Sequence, residues 1–438
     1  MSEWLDGLTG WLAAQPQWLG LVLFLVACIE CLAIAGIIVP GTVLLFAIGV
    51  LAGSGALELW ETLLLAYLGG LLGDAISYAL GRRFHQNIRR LPGLRQHPEW
   101  LSGAELYFHR YGVISLLVGR FIGPLRPMLP MVAGMLDMPL GRFIGVSLIA
   151  AAGWSVAYLL PGWTTGAAMR LPLPPGFWSD AALVVGGLAL VVGLIAHASM
   201  SEHRWVTPMS AGLCLLALIA LLVGWPYLQE LDQGLLTLVQ EQRNPILDHY
   251  MVLLTRLGDM STQVVAGALL CGLLLFTRQW RAALFAIGAL LGTALANGLL
   301  KALFARSRPD VLLQPLDSFS LPSGHSSAAF AFFLVLGILA SREQPVRWRL
   351  TWLLLACLPA LAIALSRVYL GVHWPTDIIA GSLLAAGMCA ASLSIAQWRT
   401  PLAALAPRIW WLVLPACLAL LGGFSLWALP EAFQRYAY

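Results

Sequence analysis

Three short polar blocks lie between residues 301 and 377 of a chain that is otherwise dominated by apolar residues. Each block stands at the end of an apolar run long enough to span a bilayer. The blocks read Lys301-x6-Arg308-Pro309, Pro322-Ser323-Gly324-His325 and Ser366-Arg367-x5-His373-x3-Asp377. Cationic groups can hold a phosphoryl dianion, one histidine can attack phosphorus, and the other can protonate the leaving oxygen. These residue types therefore indicate phosphate-ester chemistry at a membrane surface.

The composition of the chain predicts a polytopic membrane protein around these blocks. Of the 438 residues, 60% are hydrophobic and only 11% are charged, whereas a soluble domain carries about 25% charged residues. Apolar runs of about 20 residues recur along the whole chain, as membrane-spanning helices require. The net charge of +4 is small, and the basic residues fall in loops. They are therefore interpreted as topology determinants and not as a nucleic-acid surface.

The first half of the chain has an irregular layout of apolar segments. Residues 19–36 are apolar except for Glu30, and they run directly into residues 37–53 with no polar loop between them. This pair is too short for two spans and a turn, so it predicts a re-entrant hairpin. A full span follows, and the pattern recurs with a broken segment over 113–136 and a span over 143–160. Hairpin then span, twice, predicts an inverted repeat.

The second half predicts more regular helices. The candidate spans cover residues 181–198, 208–223, 263–276, 282–304, 326–340, 351–365, 378–395 and 409–426. Between the second and third of these, residues 227–260 are polar enough for an interfacial helix. A short polar break at His203-Arg204 predicts a domain boundary. The predicted domains are therefore 1–203, 204–400 and a terminal membrane helix within 401–438.

Basic residues in alternate loops of the second half predict the orientation of the polar blocks. These residues are Arg278, Arg281, Arg342, Arg347, Arg349, Arg399 and Arg408. Loops rich in arginine are usually cytoplasmic. The three polar blocks lie in the other loops, so we expect them to face the periplasm or the outside. The protein itself is expected in a bacterial inner membrane.

The local sequence around the blocks predicts how helices would present them. Ser323 suits an N-cap, Gly324 lets a ligand approach the backbone closely, and a helix N-terminus attracts anions. Pro375 is suited to the first position of a helix, which places Asp377 in the first turn. Asp377 would then lie near enough to orient the imidazole of His373.

These blocks resemble the signature of the type-2 phosphatidic acid phosphatase superfamily, and the resemblance covers about residues 205–400. It implies a six-helix membrane phosphatase core that uses no metal and no cofactor. It also implies that His373 is the nucleophile, that Asp377 orients it, and that His325 protonates the leaving group. The phosphoryl oxygens would be held by Lys301, Arg308, Ser323, Gly324 and Arg367. Arg306 is not a signature position and is interpreted as a surface charge that attracts anionic headgroups.

The first half contains ionisable residues within apolar segments. Glu30 lies in an apolar helix, and Arg120 and Arg126 lie in a segment broken by prolines. An ionisable group at membrane depth costs a few kcal/mol, so it usually has a partner and a function. Two fixed arginines suit an anionic lipid headgroup, and Glu30 could take up a proton. An equally weighted alternative is a structural pair of Glu30 with an arginine that holds the hairpins together.

These residues belong to a series of motifs that looks like the DedA family of membrane proteins, over about residues 15–170. The motifs are Glu30 ten residues before Pro40-Gly41, Gly73-Asp74-x3-Tyr78-x2-Gly81-Arg82, Phe108-x-Arg110-Tyr111-Gly112-x6-Gly119-Arg120-Phe121, and Arg126. The resemblance implies re-entrant hairpins, lipid transport and proton coupling, with Glu30, Arg120 and Arg126 as functional positions. Thr42 stands after Pro40-Gly41, where many relatives carry an acid. Asp74 and Tyr78 are expected to make helix–helix hydrogen bonds.

Together the two halves predict an all-α polytopic membrane protein with two functions. Its second half would dephosphorylate a lipid pyrophosphate, with undecaprenyl pyrophosphate favoured, and its first half would translocate the product. One alternative is a phosphatase for phosphatidic acid, phosphatidylglycerophosphate or lipid A phosphate with a structural first half. Another is a transporter whose phosphatase-like site only binds. The expected partners are a lipid phosphate and the bilayer.

Overall fold

The computed structural model describes residues 10–12, 15–33, 35–38, 41–85, 87, 98–111, 114–121, 125–170, 173–200, 205–313, 316, 318–427 and 429–436. Within these ranges the regular elements are all helices. Nine of the described helices are long and apolar enough to cross a membrane, or ten if one bent pair counts as a single span. The predicted all-α polytopic class is therefore confirmed.

Contacts between residues divide the chain into two compact units, Met1–Leu173 and Pro174–Tyr438. This division differs from the predicted domain limits at both ends of the second unit. A helix over Phe177–Met200, ahead of the predicted boundary at residue 203, packs against the helix that follows it. The helix after residue 400 also packs within the second unit, against the helix over Met260–Phe276.

The first unit combines short apolar helices with two long ones. Its helices are α1 (Leu19–Cys31), α2 (Gly41–Leu51), α3 (Leu59–Phe84), α4 (Pro98–Tyr111), α5 (Ile114–Gly119), α6 (Met128–Met135) and α7 (Leu140–Arg170). The 13 residues of α1 extend about 20 Å, which is less than the roughly 30 Å of a bilayer core. Among the described helices of this unit, α3 and α7 alone are long and apolar enough to span. The re-entrant hairpins and the inverted repeat remain predictions.

Glycines on α3 bring two short helices close to it. A Cβ at Gly73 would collide with the carbonyl oxygen of Cys28 in α1, and a Cβ at Gly81 would collide with that of Met131 in α6. Only hydrogen fits at these two positions, so the backbones can approach closely. The short helix that carries Glu30 and the short helix that follows Arg126 are therefore packed against α3.

The second unit is a bundle of longer helices. They are α8 (Phe177–Met200), α9 (Val206–Gly224), α10 (Gln229–Gln240), α11 (Pro245–Leu257), α12 (Met260–Phe276), α13 (Trp280–Phe304), α14 (Gly324–Ser341), α15 (Val346–Tyr369), α16 (Pro375–Ala396), α17 (Pro407–Leu426) and α18 (Leu429–Arg435). The stretch predicted to hold one interfacial helix contains two, α10 and α11, because Asn244 caps a new helix there through its side chain. Apolar residues of α12, α13, α14, α16 and α17 form the core.

Candidate active site

The three polar blocks meet at one end of the second unit because two helices end there and two begin. Lys301 lies in the last turn of α13 and Arg367 in the last turn of α15, while Ser323 caps α14 and Asp377 lies in the first turn of α16. The backbone N–H of Ser323 donates to the carbonyl oxygen of Asp377 at 3.0 Å. This bond joins the starts of α14 and α16.

His373 is buried and held between a carboxylate and an arginine. Its Nδ1 lies 3.3 Å from Oδ2 of Asp377, and its Nε2 lies 2.9 Å from Nη1 of Arg308. An arginine only donates and an ionised carboxylate only accepts. The proton of the neutral imidazole is therefore assigned to Nδ1, which leaves the lone pair of Nε2 facing Arg308. That nitrogen is the one available to attack phosphorus.

Both carboxylate oxygens of Asp377 are engaged. Oδ2 accepts from the hydroxyl of Ser320 and, at 2.9 Å, from the backbone N–H of Trp374. Oδ1 accepts from Nη1 of Arg306 at 2.9 Å. A carboxylate with this many donors has a fixed orientation, so it also fixes the ring of His373.

The surroundings of His373 keep its imidazole neutral. Its pKa lies well below the ordinary value of 6.5, first because burial disfavours the charged ring and then because Arg308, Arg367 and Lys301 add positive charge. Burial and the repulsion from Arg367 also lower the pKa of Arg308 to about 10, so Arg308 remains charged at neutral pH. A neutral imidazole therefore stands among cations.

The cations of the site are held mainly by neutral oxygens. Arg308 donates to the carbonyl oxygens of Ser318 at 2.7 Å and Val372 at 2.6 Å, and Lys301 donates to the carbonyl oxygen of Phe319. Arg367 donates through Nη1 to the hydroxyls of Thr255 at 2.7 Å and Tyr436 at 2.9 Å. Carbonyl and hydroxyl oxygens fix the direction of a cation without cancelling its charge. The charge is thus left for a phosphoryl group.

The start of α14 adds backbone donors to these cations. The side chain of Ser323 accepts a hydrogen bond from the backbone N–H of Ser326, as the sequence predicts for an N-cap. A Cβ at Gly324 would point toward Lys301 and Asn297, at 3.8 and 3.7 Å from their nearest atoms. The N-terminus of this helix therefore faces Lys301, and a helix N-terminus beside a cation is a place where an anion would be stabilised.

His325 pairs with an acidic residue that sequence reasoning missed. Its Nε2 lies 2.9 Å from Oδ1 of Asp259, whose other oxygen lies 3.3 Å from Nη1 of Arg256. Asp259 stands at the N-cap of α12 but makes no capping hydrogen bond with its side chain. Its carboxylate instead pairs with the imidazole of His325. An aspartate just before an apolar run was the signal in the sequence, but it is equally typical of an ordinary cap.

The interpretation of Arg306 as a surface charge is wrong. Only 5% of this side chain is exposed. Its guanidinium bridges Asp377 at 2.9 Å and Asp232 at 2.7 Å, and its central carbon lies 4.5 Å from the ring centroid of Trp225. Asp232 comes from α10, far away in the sequence, so a reading of the local motif could not find it. Arg306 compensates the charge of Asp377 and leaves the other cations uncompensated.

An apolar cavity of about 310 Å³ lies beside the start of α14. It is lined by α12, α13 and α14, and most of its walls are aliphatic. Asn297, Gly324 and Ser327 line the part nearest the polar blocks. A hydrocarbon chain is the kind of ligand that matches such walls.

A second buried polar cluster lies in the first unit. Arg126 pairs with Glu30, and Arg120 pairs with Asp74, all four side chains being nearly inaccessible to solvent. Thr42 donates to Oε1 of Glu30 at 3.4 Å. The predicted positions Glu30, Arg120 and Arg126 are thus brought together, with Asp74 as a fourth member. Tyr78 was expected to make a hydrogen bond between helices, and it donates to the carbonyl oxygen of Met138 at 2.5 Å, in the connection between α6 and α7.

Several polar atoms of this cluster have no hydrogen-bond partner among the described residues. They are Oε2 of Glu30, Nε of Arg120, and Nε and Nη1 of Arg126. The two guanidinium groups also lie 5.1 and 5.2 Å from the ring centroids of Trp154 and Tyr158, one helical turn apart on α7. Buried donors without partners are costly. They match an anionic oxygen as ligand.

Comparison with known families assigns one domain to each half. Residues 39–164 match the VTT domain, and residues 282–401 match the PAP2 superfamily. The first range includes Asp74, Arg120 and Arg126, and the second includes the three polar blocks. Asp259 and Tyr436 lie outside both ranges.

Relatives and solved structures with similar sequences cover the two halves separately. The inner membrane protein YabI of Escherichia coli K12 is 36% identical over 215 residues, which are 45% of this chain and 85% of that protein. A PAP2-type phosphatidylglycerolphosphate phosphatase from Bacillus subtilis is 26% identical, with a TM-score of 0.39, over 43% of this chain and 97% of that one. LpxE from Aquifex aeolicus is 27% identical, with a TM-score of 0.31, over 37% of this chain and 94% of that one.

Proposed function

Because this chain belongs to the DedA family through its VTT domain and carries a PAP2 superfamily domain in its second half, we propose that it hydrolyses a membrane lipid phosphate through a phosphohistidine on His373. The observation that carries the proposal is the orientation of His373. Its Nδ1 is held by Asp377 while its Nε2 faces Arg308. An unprotonated nitrogen beside a cation is what attack on a phosphoryl group needs.

The proposed reaction has two steps. In the first, Nε2 of His373 forms a bond to phosphorus while the bond from phosphorus to the lipid-side oxygen breaks, and His325 gives its proton to that oxygen. In the second, the oxygen of a water molecule forms a bond to phosphorus while the bond from phosphorus to Nε2 of His373 breaks, His325 takes a proton from the water, and inorganic phosphate leaves. Asp259 would stabilise the imidazolium of His325 before the first step and again after the second, because its carboxylate lies 2.9 Å from Nε2 of that ring.

Lys301, Arg308 and Arg367 would hold the phosphoryl oxygens in both steps. Their hydrogen bonds to carbonyl and hydroxyl oxygens keep them in place, so little reorganisation is needed as negative charge develops. Ser323 and Gly324 would add the backbone N–H groups at the start of α14.

The proposed substrate is an isoprenoid pyrophosphate, with undecaprenyl pyrophosphate favoured. The apolar cavity beside Gly324 supports a lipid substrate, since it opens a place for hydrocarbon next to the phosphate groups. The preference for undecaprenyl pyrophosphate depends on the presence of this site and a DedA module in one protein. A phosphatase that makes the lipid monophosphate and a module that translocates it would share one intermediate. Fusion raises the local concentration of that intermediate.

For the first unit, we propose transport of the lipid monophosphate with Glu30, Arg120 and Arg126 at its headgroup site. The unpartnered nitrogens of the two arginines support an anionic ligand. A structural role remains the second candidate, favoured by the direct pairing of each arginine with a carboxylate. The inner membrane is the proposed location, by analogy with the relative named as an inner membrane protein.

Substitution of the two histidines tests the phosphatase proposal. His373→Ala is expected to abolish phosphate release and phosphohistidine labelling, because it removes the nucleophile. His325→Ala is expected to lose about 10²–10⁴-fold in turnover, the usual contribution of a general acid. Activity with excess EDTA should match activity without it. His85→Ala, at an exposed histidine of the first unit, is the control. Full activity of His373→Ala would rule out this mechanism.

The outward orientation of the site is tested by labelling single cysteines in intact cells. The first variant is Asp310→Cys, at an exposed residue near the polar blocks. The second is Gln344→Cys, at an exposed residue beyond the opposite end of α14. A membrane-impermeant thiol reagent is expected to label the first and not the second, once the background from native cysteines is subtracted. The reverse pattern would place the site in the cytoplasm.

A further inference from the structure

The C-terminal helix α18 brings a tyrosine to the phosphate end of the second unit. Tyr436 is only 4% exposed, and its hydroxyl lies 2.9 Å from Nη1 of Arg367. Its ring centroid lies 5.5 Å from the guanidinium carbon of the same arginine. The tyrosine lies beyond residue 401, where the match to the PAP2 superfamily ends. This contact is therefore a feature of the C-terminal extension of the chain.

The extension is packed against the phosphate end of the second unit. Ala432 and Tyr436 belong to an apolar cluster that includes Leu370 and Val372, just before His373. The ring of Phe433 stacks on His249, with centroids 4.8 Å apart. Arg256 also donates to the carbonyl oxygen of Trp427 at 2.5 Å, at the end of α17. Each of these contacts holds the segment that carries Tyr436.

The hydrogen bonds of Arg367 define which of its edges is left for a ligand. Nη1 carries two hydrogens, and Thr255 and Tyr436 accept one each. Nε is buried and has no partner within the described part of the chain. The edge formed by Nε and Nη2 is therefore the one that can make two parallel hydrogen bonds to a phosphoryl group.

We propose that Tyr436 is a positioning residue of the phosphatase site. Its hydroxyl, together with that of Thr255, fixes Nη1 so that the Nε–Nη2 edge of Arg367 faces the phosphoryl oxygens. A phenol is a neutral acceptor, so it orients the arginine and leaves its charge for the substrate. The inference rests on the proposed phosphatase function, and it gives the terminal helices α17 and α18 a role in that function.

The test uses Tyr436→Phe, which removes the acceptor and keeps the ring. Hydrolysis of phosphatidic acid in detergent micelles should lose about 10-fold in kcat/KM, and the inhibition constant of inorganic phosphate should rise by a similar factor, as expected for a hydrogen bond to a charged group. Thr255→Val removes the other acceptor and should behave alike. Tyr369→Phe removes another buried hydroxyl at this end, one that accepts from the backbone N–H of Asn244 at 3.1 Å. It should stay within about 2-fold of wild type.

Combination with Arg367→Lys separates a positioning role from a merely structural one. Lysine has no planar edge to orient, so Tyr436→Phe should cost almost nothing further in that background. An equal loss in both backgrounds, or wild-type kinetics for Tyr436→Phe alone, overturns the inference and leaves the phosphatase proposal intact. A wild-type protein that hydrolyses neither phosphatidic acid nor undecaprenyl pyrophosphate removes the proposed function and this inference together.

Discussion

The two buried polar clusters both contain arginines and carboxylates, but the arginines have different partners in each cluster. In the second unit, Arg308 and Arg367 are held by carbonyl and hydroxyl oxygens, and the nearby carboxylate of Asp377 is paired with Arg306. In the first unit, Arg120 and Arg126 are each paired directly with a carboxylate. One cluster is therefore cationic before a ligand arrives, and the other is neutral.

This difference suits the two functions proposed above, hydrolysis of a lipid phosphate in the second unit and transport of the product in the first. An uncompensated buried cation is costly, and that cost is relieved when a phosphoryl dianion binds. The proposed phosphatase site therefore has its positive charge in place before the substrate binds. A neutral cluster can accept an anion only if a carboxylate withdraws or takes up a proton. Such an exchange is suited to binding and release during transport, where tight retention of the phosphate would be a disadvantage.

The largest expected effect comes from one isosteric change made in both clusters. Asp377→Asn removes the charge that orients His373 and stabilises its proton, so turnover should fall on the order of 10³–10⁴-fold, as for other carboxylates that orient a catalytic histidine. Asp74→Asn makes the same change beside Arg120 and should leave phosphatase turnover unchanged. The measurement is phosphate release in detergent.

Two outcomes of that experiment would break the comparison. Normal turnover of Asp377→Asn would mean that the carboxylate does not act on His373. A comparable loss in Asp74→Asn, in protein with a normal thermal midpoint, would mean that the clusters do not work independently.

A second prediction concerns transport and has a smaller expected effect. Arg120→Ala and Glu30→Gln should slow translocation of undecaprenyl phosphate in proteoliposomes by roughly 10-fold or more, since a phosphate in a low-dielectric region needs balanced fixed charge. Phosphatase turnover of both variants should stay near normal. His373→Ala is the matched control, because it should stop hydrolysis and spare transport. Normal transport by folded Arg120→Ala protein would favour the structural role of the cluster.

Local patterns in the sequence predicted the features of the candidate active site that involve residues only a few positions apart. Ser323 caps α14, Pro375 opens α16, and Asp377 reaches His373 from the first turn, because each relation spans a few residues of one chain segment. The class of fold followed from the length and composition of the apolar runs, which the bilayer dictates.

The residues that sequence reasoning missed depend on contacts between distant segments. Asp232 reaches Arg306 from α10, Asp259 reaches His325 from the start of α12, and Tyr436 reaches Arg367 from the end of the chain. Arg306 was wrongly predicted to be a surface charge for the same reason, because its carboxylate partners lie far away in the sequence. In the first unit, Asp74 makes a hydrogen bond as expected, but its partner is Arg120, with which it also forms an ion pair. No local spacing encodes such pairings.

The smallest predicted effect is a shift in pH dependence, and it sharpens the contrast between the clusters. The pKa of His373 is depressed from its ordinary 6.5 by burial and then by Arg308 and its neighbouring cations. The reactive neutral ring is therefore kept as the pH falls through 6.5, and it is lost only when the pH passes the lower value. The acidic limb of the turnover profile should accordingly lie below pH 6.5. Arg308→Gln removes one cation and should move the part of this limb that belongs to His373 to higher pH. Transport by the neutral cluster should respond in the other direction and quicken on acidification, because a protonated Glu30 releases Arg126 to bind phosphate. An acidic limb that stays in place in Arg308→Gln would show that this cation does not control the pKa of His373. Transport that slows on acidification would rule out the proposed exchange at Glu30.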